Sequence, residues 1–280
     1  FVDKTLMIKK LIESQAKVTL FTRPRRFGKT LNQFMIRRFF EDEITEEGEE
    51  VDNGYLFDGL KITECGEEIL SHQQQYPVIF LTLKSAKQPT YALAYMELKK
   101  RISEEYKRHR YILQGEILTA DEKARFEAIS AIMDDDSLYT DALGFLSMCL
   151  AKYHEKNTII LIDEYDVPLD KAFQYGYYRE MLHFIRGLLG EVLKTNDSLA
   201  FAVLTGCLRV SKESIITGLN NFKILSITDT RFDEQFGFTD TEVRTLLSDY
   251  QMEDRFAEVK EWYDGYHFGN ADVYCPWDVV

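Results

Sequence analysis

Apolar positions along the chain fall into two patterns, short unbroken runs and longer stretches with helical spacing. Unbroken runs are typical of central strands in a parallel sheet that is covered on both faces. After the first run, apolar residues recur three and four positions apart, as in a helix with one buried face. This alternation predicts an α/β domain with a parallel sheet flanked by helices. The runs are Val18–Thr22, Pro77–Leu83, Thr158–Ile162, Leu199–Gly206 and Phe222–Thr228.

Two regions lie outside this alternation. Residues 91–156 carry mostly helical patterns, which predicts a helical insertion covering the sheet. After Thr228, either Thr239 or Asp240 is a good N-cap for a further helix, and an aromatic segment broken by glycine follows. We therefore predict a main domain over residues 1–230 and a small helical region over 231–280. One interpretation of that region is a packed helix and loop that buries Trp262 and Tyr266.

Composition narrows the class of protein. With 280 residues and 45% hydrophobic content, the chain can bury a large core. No apolar run approaches the roughly 20 residues that span a bilayer, and the N-terminus lacks the apolar core of a signal peptide, so we expect a cytoplasmic protein without a membrane partner. The four scattered cysteines favour buried reduced thiols over a zinc site or disulfides. The first residue is not Met and the last residues are PWDVV, so we expect a fragment.

Charge is distributed unevenly along the chain. The net charge of −13 argues against direct nucleic-acid binding. Residues 1–38 nevertheless hold ten Lys and Arg against two acidic residues, whereas residues 41–68 hold twelve acidic residues against one Lys. Two solvated faces would explain this asymmetry. The alternative is that the basic segment binds a polyphosphate.

The segment RPRRFGKT, residues 23–30, joins the first predicted strand to a helix. Its end matches the P-loop pattern G-x-x-x-x-G-K-[ST], although Arg23 stands at the position of the first glycine. In such a loop Gly28 lets the backbone approach phosphates, a solvent-facing Lys29 reaches the β- and γ-phosphates, and Thr30 gives a hydroxyl to Mg²⁺. The predicted nucleotide-binding residues are Arg25, Arg26, Phe27, Gly28, Lys29, Thr30 and Leu31.

An acidic pair follows the third predicted strand. Asp163 and Glu164 stand at its carboxyl end, the edge at which open α/β sheets bind ligands. We predict that Asp163 completes a magnesium shell and that Glu164 polarises an attacking water. Two surface carboxylates after a core strand are the structural alternative. A glutamate directly after this aspartate favours ATPases of the additional-strand (ASCE) class over nucleotide kinases, which normally lack it.

Two residues near the fourth strand complete the candidate site. Thr205, at its end, is a candidate sensor of the γ-phosphate, and Arg209 is a candidate for stabilising transition-state charge. An arginine paired with a surface carboxylate is an equally compatible interpretation of Arg209.

Six segments of the chain carry a resemblance to a known family: FVDKT, VTLFTRPRRFGKTLN, IILIDEYDVPL, LTGCLRVSKESIITGLNNFK, FGFTDTEV and WYDGYHFGNADVYCPWDVV. Together they resemble the bacterial AAA-ATPase-like domain family, and the resemblance spans essentially the whole chain. Proteins of that family resemble STAND-type P-loop ATPases and often continue into a PD-(D/E)XK nuclease-like domain.

The resemblance implies that RPRRFGKT is the family's variant of the Walker A loop and that Arg23 is a family trait. It also implies that residues 231–280 are the start of a helical lid or winged-helix-like unit over the nucleotide. Because no D…[DE]-x-K spacing follows Glu261, we expect no nuclease activity.

The sequence thus predicts a magnesium-dependent ATP-binding domain that hydrolyses ATP slowly. It would act as a switch for an effector protein or for a C-terminal nuclease-like domain absent from this chain. The main alternative is a scaffold that binds ATP or ADP without significant turnover. A phosphotransferase is disfavoured by Glu164.

Overall fold

The structure, a computed structural model, describes residues 2–208 and 222–280. Its α-helices are α1 (Leu6–Ser14), α2 (Lys29–Phe40), α3 (Glu67–Leu70), α4 (Tyr91–Arg108), α5 (Ala120–Ser130), α6 (Ser137–Thr140), α7 (Ala142–His154), α8 (Val167–Tyr175), α9 (Tyr178–Lys194), α10 (Asp240–Asp249), α11 (Phe256–Tyr263) and α12 (Pro276–Val279). Its strands are β1 (Val18–Thr22), β2 (Glu43–Ile44), β3 (Glu50–Val51), β4 (Val78–Thr82), β5 (Thr158–Asp163), β6 (Leu199–Gly206), β7 (Phe222–Leu225), β8 (Phe238–Thr239), β9 (Asp264–Phe268) and β10 (Ala271–Tyr274). Short 3-10 helices lie at Gly54–Phe57, Lys61–Glu64, Arg110–Leu113 and Glu253–Arg255.

The five apolar runs form one parallel sheet in the order β4-β5-β6-β1-β7. Strand β6 therefore lies between β1, which leads into the RPRRFGKT loop, and β5, which ends in the acidic pair. This order is consistent with the additional-strand class of P-loop proteins. The predicted α/β class is confirmed.

Alternating residues of the strands pack into two separate cores. Ile160 and Ile162 of β5 face a core shared with α4, α5, α7 and α9. Ile159 and Leu161 of the same strand face the opposite core, which α1 and α2 cover. Because successive side chains of a strand point to opposite faces, this apolar run is buried on both sides.

Residues 91–156 contain α4 to α7, as the helical patterns predicted. Helix α4 also covers the sheet edge, because Glu105 accepts a 2.7 Å hydrogen bond from the amide of Phe80 and Arg108 donates to the carbonyl of Val78. Such pairing satisfies backbone groups that an edge strand leaves unpaired. None of the helices within the described ranges is both long and apolar enough to cross a membrane.

Residues 231–280 contain more strand than the sequence predicted. Strands β8, β10 and β9 form a small antiparallel sheet in that order. The predicted N-cap is present, since the Thr239 hydroxyl accepts from the amide of Glu242 in a capping box at the start of α10. Trp262, expected to be buried in one interpretation, is 74% exposed, and Tyr266 is 42% exposed. Phe236, Phe268 and other residues of this region pack into the core under α1 and α2, so the division at residue 230 stays a prediction.

Candidate functional site

The loop between β1 and α2 enters the helix through a glycine in the left-handed conformation. Gly28 adopts φ +76° and is the N-cap of α2. A Cβ at Gly28 would meet no atom within 4 Å, so the left-handed backbone, rather than lack of space, favours glycine there. The first amide groups of α2 have no acceptor within the helix and can bind an anion.

Lys29 begins α2, and its side chain is buried rather than solvent-facing as the sequence suggested. The side chain is 4% exposed. Its ammonium group donates to the carbonyl of Pro24 at 2.9 Å and lies 3.3 Å from the sulfur of Cys207. Glu164 Oε1 is 3.8 Å from the same nitrogen. The lysine is therefore held in a fixed position between the loop, β6 and the acidic pair.

The Asp163 carboxylate connects two other predicted residues. The hydroxyl of Thr30 donates to Asp163 Oδ2 at 2.7 Å, and the hydroxyl of Thr205 donates to Asp163 Oδ1 at 2.6 Å. Asp163 is fully buried. The strand order explains this convergence, because β5 and β6 are parallel neighbours and both end at the edge where α2 begins.

Glu164 directs a carboxylate to the cavity beside Lys29. Its backbone adopts φ +56°, which is uncommon for a residue other than glycine, and its side chain is 17% exposed. Burial raises the pKa of the Glu164 carboxyl, the nearby Lys29 ammonium opposes this, and the charge of Asp163 reinforces it. The carboxyl thus has the elevated proton affinity that suits a general base.

These groups border a cavity of about 540 Å³ whose lining carries six cationic and two acidic side chains. An excess of positive charge of this kind suits a polyphosphate ligand. The lining contains six of the predicted loop residues and Glu164, together with five residues that the sequence patterns did not predict. The lining residues are Arg25, Arg26, Gly28, Lys29, Thr30, Leu31, Lys84, Lys87, Glu164, Val167, Asp170 and Lys171.

A positional signal existed for one of the missed residues. Lys84 follows the predicted strand Pro77–Leu83 directly, at the sheet edge that also carries Asp163. The rule that located the acidic pair, applied to this strand, would have included Lys84.

Phe27, Thr205 and Arg209 were also predicted to belong to the site. Phe27 does not line the cavity; it is buried, with ring centroids 4.8 Å from Tyr266 and 5.1 Å from Phe268. Thr205 contacts Asp163 rather than the cavity itself. Arg209 lies outside the described residues.

Asp166 is a further buried carboxylate that the sequence analysis did not single out. Its Oδ2 accepts hydrogen bonds from the amides of Cys207 at 2.9 Å and Leu208 at 2.7 Å. The hydroxyl of Tyr165 donates to the carbonyl of Leu208 at 2.7 Å. The segment after β5 therefore fixes the turn after β6, which places Cys207 against Lys29. The signal for Asp166 was its position three residues after Asp163 in the same post-strand segment.

Arg23 points away from the cavity. It is 1% exposed and donates to the carbonyls of Thr22 at 3.0 Å and Leu225 at 2.8 Å. The guanidinium lies 5.1 Å from the ring centroid of Phe236 and 5.3 Å from that of Phe268. At the position of the first P-loop glycine, this chain thus has a side chain that ties the loop to the region after β7.

Comparison with known proteins agrees with the fold. A family model described as predicted AAA-ATPase matches residues 1–216. An uncharacterized protein in the vnfD 5′ region of Azotobacter chroococcum mcd 1 is 26% identical over 281 residues. The match covers 100% of this chain and 47% of that relative, so the chain spans about half of the relative's length. Because the family model covers well over half of the 280 residues, this chain belongs to the family of predicted AAA-ATPases.

Proposed function

We propose that this chain binds ATP with Mg²⁺ and hydrolyses it slowly, as a conformational switch for an attached or partner effector. The observation that carries this proposal is the convergence of Lys29, the Thr30–Asp163 pair and Glu164 at one edge of the sheet, beside a cationic cavity. Family membership supports nucleotide binding in general. The metal, the hydrolysis and the switch rest on the geometry of the chain's own residues.

The loop and the start of α2 would hold the phosphates. Lys29 contributes a buried ammonium, and the amides after Gly28 contribute neutral donors. The carbonyl of Pro24 and the sulfur of Cys207 keep the ammonium in place without neutralising its charge. A phosphate oxygen is a stronger acceptor than either, so we expect it to become a principal partner of Lys29 in the complex.

The donor set fits Mg²⁺. Thr30 and Asp163 offer a hydroxyl and a carboxylate oxygen, the hard ligands that this ion prefers beside phosphates and water. The bound ion would neutralise phosphate charge and polarise the phosphoryl group. Thr205 would orient Asp163 by donating to its second oxygen.

Glu164 is the residue that we assign as the general base. Its carboxylate lies beside Lys29 and borders the cavity, and burial raises its pKa. It would accept the proton of a water that attacks the terminal phosphate.

A nucleotide-binding scaffold without significant turnover is the second candidate. The 3.8 Å separation between Lys29 Nζ and Glu164 Oε1 favours it, because an ion pair with the lysine would keep this carboxylate from activating water. The two candidates differ only in turnover, since both require the same phosphate and metal residues.

The loop's contacts support a switch. Phe27 packs against the sheet of β8, β9 and β10, and Arg26 lies 5.3 Å from the ring centroid of Trp277. Movement of the loop on nucleotide binding would therefore change its contacts with residues 231–280. The region beyond them, or a partner bound there, is the effector in this proposal.

An ATPase assay combined with calorimetry on the wild type and Glu164→Gln tests the proposal. The amide keeps the shape of the side chain but cannot accept a proton, so we expect ATP to stay bound while turnover falls about 100- to 10,000-fold. Glu180→Gln, at an exposed position of α9, is the matched control and should keep the wild-type rate. Equal turnover in wild type and Glu164→Gln would contradict the assignment of the base, and ATP binding without any turnover in the wild type would favour the scaffold.

A further inference from the structure

Two lysines in the cavity lining have no role in the proposed function. Lys84 and Lys87 follow β4 and line the same cavity as Lys29 and Glu164. Lys84 is exposed. Among the residues that the structure describes, neither lysine forms an ion pair, whereas Lys29 in the same lining lies 3.8 Å from the Glu164 carboxylate. Their charge is therefore available to a ligand.

Backbone pairing between β4 and β5 determines the position of the Lys84 backbone. Thr82, at the end of β4, pairs with Asp163, at the end of β5. The amide of Leu83 then donates to the carbonyl of Asp163 at 2.9 Å. Lys84 is the residue after Leu83 in the segment that follows β4, and Glu164 is the residue after Asp163 in the segment that follows β5. The backbone of Lys84 therefore lies at the same sheet edge as Glu164, and both residues line the cavity.

This placement separates two groups of cations along the cavity. Lys29 and the amides of α2 belong to the loop after β1, two strands away from β5 in the sheet. Lys84 and Lys87 belong to the segment after β4, on the far side of Glu164. A phosphate chain held by the loop and directed toward Glu164 would approach the second group with its last phosphate. A diphosphate held in the same way would end nearer the loop.

We propose that Lys84, with Lys87 beside it, binds the terminal phosphate of a nucleoside triphosphate and makes the site prefer ATP to ADP. This inference rests on the proposed function, because Glu164 identifies which end of the phosphate chain faces β4. The loop residues hold the phosphates that ATP and ADP share, and Lys29 also reaches the terminal phosphate of ATP. The lysines after β4 add positive charge that only the terminal phosphate approaches, so they increase the preference for ATP.

Calorimetry with Mg²⁺ and two ligands, a non-hydrolysable ATP analogue and ADP, tests this inference. Lys84→Gln should lower the ratio of analogue affinity to ADP affinity about 3- to 10-fold, and the double variant Lys84→Gln/Lys87→Gln should lower it further. Lys84→Arg keeps the charge and should keep most of the ratio. The matched control is Lys100→Gln, an exposed lysine of α4 outside the cavity lining, which should leave the ratio within about twofold of wild type.

The outcomes separate this inference from the proposed function. Wild type that binds both ligands, with an unchanged ratio in the folded double variant, would overturn the inference and leave the proposed function standing. Equal losses for the analogue and ADP would also overturn it, because the lysines would then attract any phosphate. Wild type that binds neither ligand would overturn both proposals. Circular dichroism of each variant establishes that the fold is retained.

Discussion

Arg23 donates a 2.8 Å hydrogen bond from its buried guanidinium to the carbonyl oxygen of Leu225, at the end of the neighbouring strand β7. The same guanidinium donates to the carbonyl of Phe232 at 3.3 Å and lies close to the rings of Phe236 and Phe268. Burial lowers the pKa of this guanidinium to about 10, opposed by the charges of nearby carboxylates, so it stays charged at neutral pH. The loop that would hold phosphates is thereby tied to the region that follows the sheet.

Replacing Arg23 should therefore destabilise the protein. Lysine keeps the charge but lacks the planar fork that reaches several carbonyls, so we expect Arg23→Lys to lower the free energy of unfolding by about 2–4 kcal/mol. Urea denaturation measures the change. Arg231→Lys, at an exposed position, is the matched control and should change stability by less than about 0.5 kcal/mol. Equal stability of the two variants would show that the buried contacts of Arg23 contribute little.

Lys29→Ala should abolish most nucleotide affinity. Loss of one charge-assisted phosphate contact costs about 1.5–3 kcal/mol of binding free energy. The dissociation constant for ATP, measured by calorimetry, should therefore rise roughly 10- to 100-fold. Because Lys29 is buried and bonded to Pro24, we also expect a small loss of thermal stability, unlike for a solvent-facing lysine. Lys100→Ala serves as the control for loss of one positive charge. Undiminished ATP affinity in Lys29→Ala would refute the assignment of the phosphate-binding loop.

The convergence of Asp163, Thr30 and Thr205 could be foreseen from the sequence. Unbroken apolar runs predict parallel strands, and parallel strands of one sheet end at a common edge, so polar residues after different strands meet there. The burial of Arg23 could not be foreseen, because its partners Leu225 and Phe268 lie more than 200 residues away and no local pattern specifies such contacts.

The small sheet of residues 231–280 was not predicted from the sequence for a different reason. Its strands have two to five residues, and β9 has the sequence DGYHF, which shows no clean alternation of apolar and polar positions. Periodicity needs longer segments to separate a strand from a loop. Its core residues, such as Phe268 and Val273, are buried in a core shared with residues of the main sheet, α1 and α2, which no local pattern specifies.

The proposed base also predicts how turnover depends on pH. Burial raises the pKa of the Glu164 carboxyl above the ordinary glutamate value of 4.5, despite the opposing Lys29 ammonium. A raised pKa means that the carboxylate is protonated at a higher pH than an ordinary glutamate, so its function as a base is lost on the acidic side. The acidic limb of the kcat/KM profile, which reports the pKa in the nucleotide-free protein, should therefore lie above pH 4.5. A limb at or below pH 4.5, measured with ATP well below saturation where the fold is intact, would argue that another group accepts the proton.

The two adjacent arginines of the loop should behave differently when each is changed to glutamine. Both line the cavity, and Arg25 lies near enough to Glu164 to lower the pKa of its carboxyl, whereas Arg26 also lies over the ring of Trp277. We expect Arg25→Gln to weaken ATP binding about 3- to 10-fold at low salt. The loss should shrink at higher ionic strength, because charges more than about 8 Å apart are largely screened at physiological salt.

Arg26→Gln should instead change the environment of Trp277, since a cation over an exposed aromatic ring contributes about 0.5–1 kcal/mol. The chain has two tryptophans, so a Trp262→Phe background lets fluorescence report Trp277 alone. In that background, Arg26→Gln should alter the emission of the nucleotide-free protein, and Arg25→Gln should not. Nucleotide affinities unchanged in both variants at low salt, together with lowered melting temperatures, would mean that these arginines stabilise the fold rather than bind phosphates.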